Sequence, residues 1–346
     1  MTKKTVSLLV KLVITVAILV FLLTRVNFDL ESFRKTLAGI DLPMYLLSLF
    51  GVVIVLGIKS YRWKLLVTNE GFAYKASRAF GAYMSSDAIG IVTPGRIGEI
   101  ARLYYVRQET EIPFFSAFKT IVSDRIFDFT MLGWFGLAGL AYYFKIPGTF
   151  PGWVYMVSVL GLILIAYTLG LWLLGKIVKM KWTHRWKVPQ FVYESFLAVV
   201  SRQSFRMWAL TIVAYFAYFF FSWLIMHSLR VKPGLVDVAF IMSIMSLSTI
   251  IPISVAGFGT REASLVLLFS YYQLSSEVAV SFSLLHFSAF FLWGGLIGLV
   301  YWLAMPISLK QVKDDSLEIV HLFSRQPASS KKQDQPAETK SDRSQM

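Results

Sequence analysis

The chain has 346 residues, of which 56% are hydrophobic and 16% charged, and its mean hydropathy is +0.61. It contains no cysteine, which excludes disulfides and thiolate metal sites. The formal net charge is +14. Because the basic residues concentrate in short loops between apolar stretches, we interpret this charge as a determinant of membrane orientation, not of nucleic-acid binding.

Six stretches are apolar and, at roughly 18 residues or more, long enough to cross a bilayer as helices. They lie at 6–23, 43–60, 119–144, 153–174, 207–229 and 278–304. The strands of a membrane barrel would alternate polar and apolar residues, and these stretches do not. The sequence therefore predicts an all-α polytopic membrane protein with about six spanning helices.

Charge in the loops predicts the orientation of these helices. The loops 59–78 and 175–206 are strongly basic, whereas 145–152 and 272–277 contain a single charged residue each. Basic loops remain in the cytoplasm. No small-residue cleavage site follows the stretch 6–23, which we interpret as a retained first helix. We therefore expect a multi-pass protein of the cell (plasma) membrane with both termini in the cytoplasm.

Two polar segments rich in glycine and proline interrupt the apolar sequence: the first broken segment, 79–107, and the second broken segment, 236–271. Their helix-breaking residues are Pro94, Gly95, Pro252, Gly257 and Gly259. We predict that each is a re-entrant pair of half-helices, the first opening from the cytoplasm and the second from outside. The alternative is that each crosses fully, which gives about eight spans.

The order of span, re-entrant segment and span occurs twice, in 43–144 and, with inverted orientation, in 207–304. Such a repeat places a substrate site near the bilayer midplane, where discontinuous helices meet. We therefore predict a membrane domain at 1–306 that contains this inverted repeat. Residues 307–346 are mostly polar and predict a largely disordered cytoplasmic tail.

Ionisable residues within apolar helices are costly and indicate a functional site. In the first broken segment, Arg96, Glu99 and Arg102 are three residues apart and share a helix face. A helix beginning near Arg96 would direct its unpaired N–H groups toward an anion. Glu99 then bridges one arginine and leaves the other for the anion. The alternative is a salt-bridge ladder at a cytoplasmic helix start.

The span 119–144 contains Asp124, Arg125 and Asp128. We expect these charges to face protein or a water-filled cavity, and Arg125 to reach Asp128 three residues on. The alternative is an interfacial cluster just below the lipid headgroups. The choice between these two interpretations depends on whether the span begins near Phe118 or nearer Phe127.

In the second broken segment, Arg261 and Glu262 are adjacent, and neighbouring side chains on a helix diverge by about 100°. We therefore expect each to pair elsewhere. The candidate partners are Glu99, Asp124 or Asp128 for Arg261, and Arg96 or Arg125 for Glu262. In the last span, His286 is either a hydrogen-bonded packing residue or a proton relay. The sequence contains neither a metal-ligand spacing nor a nucleophile with a matching base, so we predict no catalytic residue, metal or cofactor.

Three motifs together are similar to a known family. The runs from Thr93 to Arg102, from Asp124 to Asp128 and from Pro252 to Glu262 resemble the membrane region of bacterial lysylphosphatidylglycerol synthases. Stand-alone flippase-like proteins share that region, and the resemblance covers about residues 10–305. It implies movement of lipid between leaflets. Because the 40 residues after Pro306 are mostly polar, we expect translocation without the synthase activity of a soluble domain.

We therefore predict a flippase-like translocator for an anionic or aminoacylated phospholipid or lipid-linked substrate, with its headgroup between the two broken segments. The predicted substrate-binding residues are Arg96, Glu99, Arg102, Asp124, Arg125, Asp128, Arg261 and Glu262. The expected partners are membrane phospholipids, and a separate transferase is a possible further partner. Two alternatives stay open: a lipid-modifying enzyme of the phosphatidylglycerol lysyltransferase type, and a membrane subunit that serves a separate transferase.

Overall fold

A computed structural model describes residues 29–92, 94–146, 148–179, 187–250 and 259–305, without the side chains of 92, 94–97, 187, 188 and 250. The α-helices are α1 (Leu30–Ala38), α2 (Leu42–Ser48), α3 (Phe50–Asn69), α4 (Ala76–Val92), α5 (Arg102–Thr110), α6 (Phe114–Tyr143), α7 (Gly152–Val178), α8 (Lys187–Val200), α9 (Phe205–Ser228), α10 (Leu235–Ile250), α11 (Thr260–Tyr271), α12 (Ser276–His286) and α13 (Trp293–Ala304). Pro94–Ala101 and Arg202–Ser204 are 3-10 helices, and Phe287–Leu292 is a π-helix that joins α12 to α13. These ranges contain no strand.

Long apolar helices confirm the membrane class of the fold. Four stretches have the length and composition of membrane spans, and they are Leu42–Asn69, Gly152–Val178, Arg202–Ser228 and Ser276–Ala304. The predicted span 119–144 lies in α6, whose 30 residues extend over about 45 Å. The predicted span 6–23 and the tail 307–346 lie outside the described residues. The chain is therefore an all-helical, polytopic membrane protein.

Both basic loops lie at one face of the molecule, which we call the basic face. Lys119, near the start of α6, forms ion pairs with Glu70 after α3 (2.8 Å) and with Glu194 in α8 (4.0 Å). Asn69 at the end of α3 approaches Met207 at the start of α9, with 3.9 Å between the amide nitrogen and the sulfur. These contacts place the end of α3 beside the starts of α6 and α9.

The other helix ends meet at the opposite face. The amide of Asp41, just before α2, donates to the carbonyl of Ser228 at the end of α9 (2.8 Å). The amide of Asp29 donates to Glu277 at the start of α12 (3.0 Å). The continuous stretch of α2 and α3 therefore runs antiparallel to α9.

Each broken segment begins and ends at the same face. At the basic face, Arg78 in the first turn of α4 pairs with Glu109 in the last turn of α5 (3.8 Å). At the opposite face, Tyr272 after α11 donates to Asp237 in the first turn of α10 (2.7 Å). Both segments therefore turn back, as predicted, and the alternative of two full crossings does not describe this structure.

The two halves of the chain exchange contacts. In the first half, α4 packs on α13 of the second half so closely that a Cβ at Gly298 would lie 2.3 Å from the carbonyl oxygen of Met84. In the second half, α10 packs on α6 of the first half, where a Cβ at Gly139 would lie 2.7 Å from the Phe240 side chain. Small residues permit such close helix approach in membranes. The first half-helix of each broken segment therefore packs on the last span of the other half.

The break in the first segment differs from the sequence prediction. Helix α4 ends at Val92, as expected just before Pro94. The chain then forms a 3-10 helix, and the next α-helix begins at Arg102 rather than near Arg96. Tertiary packing explains the difference, because a Cβ at Gly98 would lie 2.6 Å from the backbone of Ile89. The 3-10 helix thus lies directly against α4.

In the second segment, Gly259 has a φ of 89° and immediately precedes α11, which begins at Thr260. This left-handed conformation favours glycine, and it confirms the predicted helix break at that residue. Pro252 and Gly257 lie outside the described residues. The predicted basic loop 175–206 is partly helical, because α7 continues to Val178 and α8 follows.

Candidate functional site

Asp124 lies at the centre of a network of buried charges. Its carboxylate accepts hydrogen bonds from Arg62 (Nε, 2.9 Å; Nη2, 2.7 Å), from Arg102 (Nη1, 2.8 Å) and from the hydroxyl of Tyr83 (3.1 Å). The carboxylate and both arginines are essentially inaccessible to solvent. Asp124 therefore joins α3, α4 and α5 to its own helix, α6.

Asp128, one turn further along α6, extends the network. It accepts from Arg62 (2.9 Å) and from the ammonium of Lys59 (3.1 Å), and Arg125 reaches it at 3.4 Å. The Arg125–Asp128 contact confirms the predicted pairing at three residues' spacing. Lys59 also lies over the ring of Tyr215, 4.6 Å from its centroid. The network thereby reaches α9, in the second half of the chain.

Glu99 connects the 3-10 helix to α6 through a short ion pair with Arg125. Arg102 binds Asp124 rather than Glu99, so the three-residue ladder considered from the sequence does not extend to Arg102. Arg125 is the more accessible partner, with 30% of its side chain exposed against 7% for Glu99. We call the whole set the charge cluster: Lys59, Arg62, Glu99, Arg102, Asp124, Arg125 and Asp128.

Five members of the charge cluster, all but Lys59 and Arg125, are buried by protein, as expected for charges within apolar helices. Asp124 is 0% exposed and Asp128 is 3% exposed, so both carboxylates face protein at whatever depth in the membrane they lie. The described contacts join four cations to three carboxylates. The Nε and Nη2 atoms of Arg102 are buried and have no hydrogen-bond partner among the described residues. They are donors that a ligand could use.

Arg102 also contacts aromatic faces. Its guanidinium carbon lies 4.6 Å from the ring centroid of Tyr83 and 5.4 Å from that of Trp63. Cation–π contacts of this kind are worth roughly 2 kcal/mol when desolvated. The two rings and Asp124 therefore hold the guanidinium in place while part of its donor set stays available.

The second broken segment contains a separate polar group. Arg261 pairs directly with Glu262 (Nη2 to Oε1, 2.6 Å), and the hydroxyl of Ser283 bonds to both, at 2.7 and 2.6 Å. Glu262 also accepts from the amide of Gly259 (2.6 Å) and caps α11. The expectation that the adjacent residues need separate partners is therefore wrong. Because capping turns Glu262 toward the helix start, the long Arg261 side chain can reach it.

Lys59, Arg62 and Thr211 are site residues that the sequence did not identify. Arg62 donates to Thr211 on α9 (2.8 Å) and so links the two halves of the chain. The predicted span 43–60 was too short, since α3 continues to Asn69. The available signal was three-residue spacing: Lys59 and Arg62 share a helix face at the end of an apolar run.

The side chain of Arg96 lies outside the described part of the structure. Its backbone belongs to the 3-10 helix, three residues before Glu99. Within the described ranges, no group of three or more histidine, aspartate or glutamate side chains is placed to hold a metal ion.

The fold and the site define a polytopic membrane protein with a polar interior, built from two segments that turn back and a buried charge cluster. A family model described as the lysylphosphatidylglycerol synthase TM region matches residues 8–298. The chain belongs to this family, as the sequence motifs predicted.

Two curated proteins are similar to the chain. The UPF0104 membrane protein MJ1595 of Methanocaldococcus jannaschii is 24% identical over 309 residues, which cover 82% of this chain and 89% of that protein. The glycosyltransferase AglD of Haloferax volcanii is 30% identical over 83 residues, or 24% of this chain and 13% of AglD. The first match extends over most of both proteins, whereas the second is local.

Proposed function

We propose that this protein moves an anionic or aminoacylated phospholipid, or a lipid-linked substrate, between the leaflets of the membrane. The observation that carries the proposal is the arrangement of the broken segments. They open toward opposite faces, and each contains a buried arginine, Arg102 or Arg261, held by a carboxylate. An interior polar site between such segments is the arrangement that secondary transporters use.

An inverted repeat supports this proposal. The segments 43–144 and 207–304 would be its two units. Helices α4 and α10 occupy equivalent positions in the two units, and so do α13 and α6. The contact of α4 with α13 therefore corresponds to the contact of α10 with α6, as two-fold symmetry between the units requires. Rocking of one unit against the other would expose the interior site to each face in turn.

The charge cluster suits a phosphate-bearing headgroup. Arginine's planar fork matches phosphate oxygens, and the cluster has one more cation than carboxylate in its described contacts. Arg102 and Arg125 would contact the anion, with Arg96 and Arg261 completing the site. Glu99, Asp124, Asp128 and Glu262 would hold these arginines or meet a cationic aminoacyl group.

We further propose that the basic face lies in the cytoplasm and that the protein resides in the cell membrane. Short loops rich in lysine and arginine remain on the cytoplasmic side and are attracted by anionic lipid headgroups. Membrane phospholipids are then its partners as well as its substrates. A lipid in the cytoplasmic leaflet would meet the first broken segment at its open end.

The test is lipid movement in proteoliposomes. Fluorescent phosphatidylglycerol, accessible to an external quencher only in the outer leaflet, would be compared for wild type, Arg102→Gln and Arg125→Gln. Losing a charge-assisted hydrogen bond predicts a rate decrease of about tenfold or more. The matched control is Arg206→Gln, because Arg206 is an exposed arginine near the basic face. If wild-type protein does not accelerate the movement of any lipid tested over protein-free liposomes, the proposal is contradicted.

The local match to AglD favours a second candidate, a role in glycosyl or aminoacyl transfer to lipid. The chain would act as the enzyme itself or as the membrane subunit of a separate transferase. Purified protein would be incubated with radiolabelled nucleotide sugar or aminoacyl-tRNA and membrane lipid. Label recovered in the lipid fraction would favour transfer, and its absence together with lipid movement would favour translocation.

A further inference from the structure

His286 is a fully buried histidine whose ring forms no hydrogen bond with the described residues. It is 1% exposed, and neither ring nitrogen has a hydrogen-bond partner among the described residues. The ring stacks on Phe290 (centroids 4.7 Å apart), lies roughly perpendicular to the ring of Tyr218 and is tilted against that of Phe282. Of the two alternatives for this residue, the hydrogen-bonded packing residue does not describe the structure, since the donor and the acceptor of the ring both stay unused among the described residues.

The position of His286 connects it to the second polar group. It is the last residue of α12, and the π-helix begins at the next residue, Phe287. Such π-turns within helices frequently occur at functional sites. His286 follows Ser283 by three residues and so lies on the same helix face, roughly 5–6 Å away between Cβ atoms. Ser283 in turn bonds to both Arg261 and Glu262.

We propose that His286 is a proton-binding site linked to anion binding at Arg261. In the structure, Arg261 neutralises Glu262. When an anionic phosphate headgroup takes over the Arg261 guanidinium, Glu262 is left as a buried carboxylate without its cation. A proton from the solution, bound at the free imidazole nitrogen of His286, then supplies the missing positive charge. The inference rests on the proposed function and specifies how its substrate is bound.

Because His286 is buried, its protonation depends on an opposite charge nearby. An imidazolium in an apolar site is costly unless an opposite charge compensates it, so His286 stays neutral while Arg261 holds Glu262. The titratable groups of the surrounding elements include Tyr215 and Tyr218 on α9, Arg261 and Glu262 on α11, Tyr45 on α2, Lys59 and Arg62 on α3, Glu277 at the start of α12, and Glu31, Arg34 and Lys35 on α1. Glu277 is nine residues before His286, about 13 Å along the helix, which leaves Glu262 as the carboxylate next to the histidine's own helix turn.

The first test needs no lipid. The protonation of His286 would be followed by NMR of protein labelled with 15N-histidine. Four histidines contribute signals, and His286→Gln identifies the relevant one. In Arg261→Gln, Glu262 keeps its hydrogen bonds from Ser283 and Gly259 but loses its cation. We expect the imidazolium fraction of His286 at pH 6 to rise about tenfold or more.

The double variant Arg261→Gln/Glu262→Gln is the matched control, because it removes both charges and should restore the neutral ring. His227 lies near the end of α9, where its ring bonds to the Trp223 carbonyl (3.1 Å). Its signal serves as an internal reference, because neither substitution touches it. An unchanged neutral His286 in folded Arg261→Gln would overturn the proposal. If that variant does not elute as a folded monodisperse species, the single variant Glu262→Gln provides a second test. It removes the carboxylate that protonated His286 would compensate, so lipid binding should then occur without proton uptake.

The second test measures protons directly. Dihexanoyl phosphatidylglycerol would be mixed with wild type in weakly buffered micelles that contain a pH indicator. We expect uptake of about one proton per bound lipid, and binding without uptake in His286→Gln. Lipid binding without uptake by wild type would overturn the proton site and leave the proposed function standing. Conversely, no lipid binding combined with the expected NMR change would count against the proposed function and not against the proton site.

Discussion

Replacing Asp124 by asparagine is the most direct test of the charge cluster. The substitution keeps the size of the side chain and removes one charge. It breaks two buried ion pairs, with Arg62 and with Arg102, which the structure places at 2.7 and 2.8 Å. The new amide group would also direct a donor at one of these guanidinium groups.

The structure permits an estimate of the cost. Arg62 retains Asp128 and Thr211, so its loss is partly compensated. Arg102 retains the faces of Tyr83 and Trp63 but no described carboxylate. Removing one partner of a buried ion pair costs about 3–5 kcal/mol. We therefore expect Asp124→Asn to lower the free energy of unfolding by about that amount.

The free energy of unfolding would be measured by titrating mixed micelles with sodium dodecyl sulfate. The control is Asp237→Asn at the opposite face, where the partly exposed side chain accepts two hydrogen bonds, and a loss below about 1 kcal/mol is expected. Adding Arg102→Met to Asp124→Asn should recover part of the loss, because an apolar residue removes the uncompensated charge. Equal losses for both aspartates would refute the reasoning.

Three further outcomes are expected. The Ser32 hydroxyl and backbone amides hold the pKa of Asp29 below its usual value. Asp29→Ala should therefore reduce hydrogen-exchange protection in α1 at pH 6. The difference in protection between wild type and the variant should disappear as the pH falls below about 4, because Asp29 is then protonated. Gly298→Ala should destabilise the protein because its Cβ would meet backbone, whereas Gly161→Ala, in open space, should be neutral or stabilising; equal effects would contradict the helix crossing. Because the chain lacks cysteine, Arg78→Cys and Tyr271→Cys provide single labelling sites, and impermeant maleimides should reach them from opposite sides of the membrane. Labelling from the same side would contradict the opposite openings of the two broken segments.

The helical class and the buried charges could be predicted from the sequence, for one reason. A charge within an apolar run has no favourable place in lipid, so Asp124 and Asp128 had to face protein, and they do. The return of each broken segment to its starting face could be predicted in the same way, because the loop charges constrain the direction of the neighbouring spans.

The partners of these charges could not be predicted, because they depend on tertiary packing. Arg62 looked like part of a basic loop, and its burial is compensated by Asp124 and Asp128 on another helix. The Arg261–Glu262 pair also binds Ser283, 21 residues away from Glu262. The 3-10 form of Pro94–Ala101 likewise depends on Gly98 lying against Ile89. No local pattern reports such distant neighbours.

The exchanged packing of the halves has a consequence for biosynthesis. Helix α4 finds its neighbour, α13, only after more than two hundred further residues have been made. Until then, α4 lies in the membrane, or at its surface, without the last helix that packs on it. Contacts so distant in sequence slow folding. A nascent chain stopped before α13 should therefore be a ready substrate for membrane quality-control proteases.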